Sequence, residues 1–80
     1  MLRKYFFHFR DGHRFAPDPD GTNLPDLETV RAEALADARL IASQRVLAGE
    51  RISGQFEVAD ETGATVLIVP LRMVIDLAPH

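Results

Sequence analysis

The sequence predicts an α+β fold in which two antiparallel β-hairpins flank one long amphipathic helix, in the order strand-strand-helix-strand-strand. The helix is expected to pack on one face of a four-stranded sheet. Apolar residues recur with helical period from Asp26 to Gly49. An aromatic run, Leu2 to Arg10, stops at Asp11-Gly12, and a second β-rich stretch turns at Glu61-Thr62-Gly63.

The 80 residues make a single domain, residues 1–80, with no linker or second domain expected. A chain of this size buries roughly 60% of its unfolded surface, so self-association is a physically welcome way to bury more. The formal net charge of −3 argues against a protein that coats a polyanion, because non-specific nucleic-acid affinity comes from clustered Lys and Arg. Without cysteine there is no disulfide, thiol nucleophile or thiolate metal site. The opening MLRKYFFHFR is too short for a signal-peptide core or a membrane span, and the expected location is cytoplasmic.

Taken in order, Leu2–Arg10 forms a first strand. Asp11-Gly12 suits a two-residue type I′ turn, which would set Arg10 opposite His13, His8 opposite Phe15 and Phe7 opposite Ala16. One face then carries Lys4, Phe6, His8, Arg10, His13 and Phe15, and the other Tyr5, Phe7, Phe9, Arg14 and Ala16. Pro17–Pro25, rich in Pro, Asp and Gly, reads as an ordered loop.

In the helix, Leu27, Val30, Ala34, Ala38, Ile41, Ala42 and Ala48 fall on one side, with Leu35 and Val46 at its margin. Asp26 caps its start, Glu28 complements the dipole, and Gly49 supplies the left-handed residue that ends it. Ala32, Ala36, Leu40, Ser43 and Leu47 share the opposite side. Ala36, Leu40 and Leu47 make a knob-and-groove surface suited to a homodimer. From Ser53 to Asp60, Phe56 and Val58 alternate with Gln55 and Glu57, and Ala64–Val69 is a continuous β-branched and aliphatic run. Pro70 breaks the ladder, Leu71–Leu77 is a short edge strand or a helical turn, and the last three residues are expected to fray. One helix covers one face only, so the C-terminal segment or a second copy is expected on the other.

His8 and His13 near Asp11, Asp18 and Asp20 invite a metal reading, but the histidines are diagonal on their face, and a strand-and-turn role explains them without a metal. In Asp18-Pro19-Asp20-Gly21 the glycine comes too early for a calcium loop, and Thr29 stands where the bidentate acid belongs. Asp18 with Asp20, and Asp60 with Glu61, lie in polar turns where nothing desolvates a carboxyl for acid–base work. Ser43 and Ser53 sit in no nucleophile elbow, and the glycines form no phosphate-binding fingerprint. The residues therefore point to no catalytic group, cofactor or metal. They offer one mixed surface, Lys4, Phe6, His8, Arg10 and Phe15, of the kind that stacks bases or meets a protein partner.

Three motifs carry a family resemblance: the aromatic-His-aromatic-Arg-Asp-Gly hairpin at Phe7–Gly12, D-G-x-x-L-P-D-L at Asp20–Leu27, and F-E-V-x-D-E-x-G at Phe56–Gly63. On these the chain resembles a bacterial family known only as domain of unknown function 6894, a likeness that spans nearly the whole chain and implies no activity. Asp26-Leu27-Glu28 and Glu33-Ala34-Leu35 are similar to the helix of the antitoxin half of HicAB-type toxin–antitoxin systems. No DNA-binding segment follows the final strand here, which departs from that pattern. The expected function is a noncatalytic protein-interaction or regulatory module acting as a homodimer. The alternatives are an antitoxin-like or nucleic-acid-binding protein, and a small ligand- or metal-binding protein.

Overall fold

A computed structural model describes residues 1–76. The chain runs β1 (Arg3–Asp11), β2 (Arg14–Ala16), β3 (Thr22–Leu24), α1 (Leu27–Ala48), β4 (Gln55–Ala59), β5 (Thr65–Pro70) and α2 (Leu71–Asp76). The sheet is antiparallel and five-stranded, in the order β2-β1-β4-β5 with β3 also paired to β1. The order of the expected elements is kept, but one was not foreseen. The Pro17–Pro25 loop contains β3, because Leu24 is buried in the core and its strand pairs Arg3–Tyr5. Of the two readings of the segment after Pro70, edge strand or helical turn, the structure has the helical one, α2. Leu77 and the three residues expected to fray lie outside the described residues.

Both β2 and β3 run antiparallel to β1, against Phe9–Asp11 and Arg3–Tyr5 respectively. They act as two pieces of one broken strand, and the loop between them bulges out opposite Phe7 and His8. The first hairpin pairs Phe9 with Ala16, Arg10 with Phe15 and Asp11 with Arg14, two residues out of the expected register. Its turn residues are Gly12 and His13, and only Gly12 has positive φ, as a type II′ turn requires and a type I′ turn does not. A slip of two preserves side-chain parity, so both predicted faces survive with His13 alone removed to the turn.

Helix α1 begins where Asp26 accepts the Thr29 N–H at 2.7 Å and ends at Gly49, whose φ is 71°. Val30, Ala34, Ala38 and Ala42 are its buried residues, and three alanines at four-residue spacing bring the helix backbone close to its neighbours. They meet Tyr5, Leu24, Phe56, Val58 and Val69 from the sheet and Leu71 and Val74 from α2. Leu27, Val46 and Ala48 of the predicted stripe are exposed. Leu27 and Ala48 are the first and last residues of the helix, and Val46 faces the groove beside α2. Gly54 closes the layer: a Cβ there would lie 2.7 Å from the Phe9 ring and 2.9 Å from the Arg10 carbonyl oxygen.

Because α2 packs on α1, it lies on the side of the sheet already covered. The expectation that the C-terminal segment covers the second face fails for the described residues, among which no helix packs on that face.

Candidate functional site

On the open face, β1 presents Phe6, His8 and Arg10 in alternation, and its partners β2 and β4 add Phe15 and Glu57. The Phe6 and His8 rings stack at 9° with centroids 6.2 Å apart, and Phe15 tilts against His8 at 5.5 Å. The Arg10 guanidinium lies 4.5 Å above the Phe15 ring while its Nε donates to Glu57 Oε2 at 2.8 Å. Gln55 donates to that same oxygen at 2.8 Å, and these bonds, Arg10 first, hold the Glu57 carboxyl below its ordinary range.

The five predicted surface residues thus share one face, as expected, yet the surface is not basic. A shallow depression of about 520 Å³ at its centre is lined by Asp18, Glu57, Asp60 and Glu61 against Arg10 alone, with Lys4 outside it. Pairing of β1 with β4 is what brings the acids to Phe6 and Arg10. Spacing within one strand carries no such signal, although the Gln55/Glu57 alternation already set Glu57 opposite Phe56 and Val58.

Asp18 fastens the loop between β2 and β3 to β1. Its Oδ2 accepts the Phe7 N–H at 3.1 Å, its Oδ1 accepts those of Asp20 and Gly21 at 3.3 and 3.2 Å, and its own N–H donates to His8 Nδ1 at 3.0 Å. Burial raises the Asp18 pKa, but the N–H groups of Phe7, Gly21 and Asp20, together with the nearby His8, outweigh it and leave the carboxyl below its ordinary value. His8 therefore spends Nδ1 on the backbone, and His13 sits in the turn beyond Asp11. Among the described residues no group of three or more His, Asp or Glu side chains is placed to hold a metal ion.

Ser53 belongs to a polar cluster at the hairpin tip. Its hydroxyl donates to Asp11 Oδ1 at 2.9 Å, and Asp11 in turn faces Arg45 Nη1 at 3.2 Å. Arg45 also reaches the Ser53 carbonyl at 2.7 Å and lies 5.5 Å over the Phe9 ring. The cluster ties the hairpin tip, the end of α1 and the loop before β4 together. At the opposite end a broader hollow of about 760 Å³ includes Arg3, Tyr5, Asp26 and Asp60. There Asp26 caps α1 and Asp60 caps the β4–β5 turn, accepting from Thr62 and Ala64.

The helical layer carries a second surface. Ala36, Leu40 and Leu47 are exposed as predicted, Leu40 at 60% and Leu47 at 88%. Beside them a groove of about 500 Å³ runs between α1 and α2, lined by Arg39, Ser43, Val46, Leu47, Val74 and Ile75. The sequence offers no sign of the α2 half, because a groove between two helices depends on how α2 packs on α1.

These features define a small two-layer α+β domain with side-chain surfaces on both layers. The chain belongs to the family described as domain of unknown function (DUF6894), whose profile matches residues 4–72. Comparison with curated proteins and with solved structures returns no match. No described helix is long and apolar enough to cross a membrane.

Proposed function

We propose that this domain is a noncatalytic protein-interaction or regulatory module that acts as a homodimer through its helical layer. The observation that carries this reading is the continuity of Leu47 and Val46 with Ile75 along the α1–α2 groove, next to Leu40. Large apolar side chains gathered at one groove mark an interface more often than scattered ones do. Ala36 and Ser43, seven residues apart, let a second helix approach closely.

The β5 edge of the sheet supports the same surface by being poorly suited to strand addition, and β1 lies inside the sheet. The outer edge of β1 is occupied by β2, β3 and Asp18. On β5, the Leu71 N–H bonds the Gly54 carbonyl, so alternation turns the donor-less Pro70 outward, and the ladder is irregular at Val58/Ala59. A proline and a bulge are the devices that discourage strand addition. These features favour association through side chains over strand addition at β5.

Light scattering over a dilution series tests this. The parent is expected to pass from dimer to monomer on dilution, while Leu40→Asp and Leu47→Asp stay monomeric and unfold at the midpoint of the diluted, monomeric parent. A parent that is monomeric throughout, or variants that still dimerise, would sink the proposal.

A further inference from the structure

We propose that the open sheet face docks an arginine-bearing segment of a partner protein, whose guanidinium lies on the Phe6/His8 rings and meets the carboxylates of Asp60 and Glu61. This rests on the reading of the domain as an interaction module but uses the other layer, so loss of the dimer leaves it standing.

The face already holds one guanidinium in this manner. Arg10 is gripped between a ring, Phe15, and a carboxylate, Glu57. The remaining half of the depression repeats the pair of partners, ring and carboxylate, and among the described residues no guanidinium stacks on its rings; Arg3 acts on Asp60 as a nearby charge, without an ion pair. Phe6 pairs across to Ala59, and Asp60 and Glu61 follow directly in the chain, lining the same hollow as Phe6 and His8. Asp60 uses Oδ1 for Thr62 and Ala64, and Glu61 uses Oε1 for the Lys4 N–H. Those bonds orient each carboxylate while Asp60 Oδ2 and Glu61 Oε2 make none among the described residues. A planar guanidinium matches this arrangement of ring and carboxylate better than an ammonium does, since it stacks and donates in one plane. Charge favours such a partner over a nucleic acid, whose phosphates would face Asp18, Glu57, Asp60 and Glu61.

The test is amide chemical-shift mapping with an arginine-and-glycine peptide, its glutamate counterpart and a short single-stranded oligonucleotide. The arginine peptide is expected to shift the amides of Phe6, His8, Glu61 and Thr65. Phe6→Leu is expected to weaken its binding about two- to fivefold, the size of an exposed cation–π contact. Glu61→Gln, which retains the acceptor for Lys4 and so keeps the fold, is expected to weaken it comparably. The proposal is overturned by an absence of shifts, or by shifts spread over acidic residues elsewhere. It is equally overturned if the oligonucleotide alone shifts these amides, or if they shift on concentration without peptide, which would seat a second copy there.

Discussion

The two faces of β1 carry similar aromatic residues and meet different partners. Tyr5, Phe7 and Phe9 point toward α1, where Tyr5 is buried and Phe7 and Phe9 pack against the core cluster. Phe6 and His8, one position along, stack on each other on the open face and stay half-buried. Ring chemistry does not separate the two sets. What lies across the sheet does: a helix with small residues on one side, and charges with solvent on the other. Interior aromatics are valued for area removed from water, exposed ones for the ligands their faces attract.

The comparison breaks hardest under a truncation on the covered side. Leu71 is fully buried, so Leu71→Ala is expected to cost about 2–5 kcal/mol in urea unfolding. Ile68, 47% exposed on the open face, is expected to cost less than about 1 kcal/mol when truncated to Ala. Equal costs would mean the open face is buried in solution. Next in size is Arg45→Ala, which leaves the Ser53 carbonyl and Asp11 without their cation and is expected to lose about 1.5–3 kcal/mol by the same assay.

Asp18 sharpens the contrast through pH. Its folded pKa lies below the unfolded value, so its contribution is fully present above the ordinary carboxylate range and is lost as pH falls through the folded pKa. In Asp18→Asn that part of the acid dependence should vanish, and thermal melts from neutral to acid pH would register it. Asp37 behaves in the opposite sense, its pKa raised by burial and then by Glu33. Ionisation there disfavours the fold at neutral pH, so Asp37→Asn is expected to raise the midpoint slightly at neutral pH, with the gain fading once the parent's carboxyl is protonated.

The helix was legible in the sequence because its signals are local: Asp26 and Gly49 bound it as read, and the buried positions Val30, Ala34, Ala38 and Ala42 follow one period. The membership of each hairpin face was legible too, because parity survives an even slip in register. What escaped was set by partners. Three residues, Thr22–Leu24, are too few to show alternation, and only pairing with Arg3–Tyr5 makes them a strand. After Pro70 the apolar run fits a strand or a helical turn equally well, and its contact with α1 decides for the helix. The acidic half of the open face escaped for the same reason, since Glu57, Asp60 and Glu61 reach Phe6 and His8 only through the β1–β4 ladder.

The chain has no cysteine, so single thiols can report on each surface without background. Alkylation rates of Ile68→Cys, Val69→Cys and Leu47→Cys, measured from dilute to concentrated protein, test the central claim that the helical layer self-associates while the sheet face stays open. The account predicts fast reaction at position 68 at every concentration and protection at 69 throughout. Position 47 should react fast when dilute and slowly when concentrated. Protection at 68 on concentration, with 47 remaining reactive, would contradict it and place the second copy on the sheet.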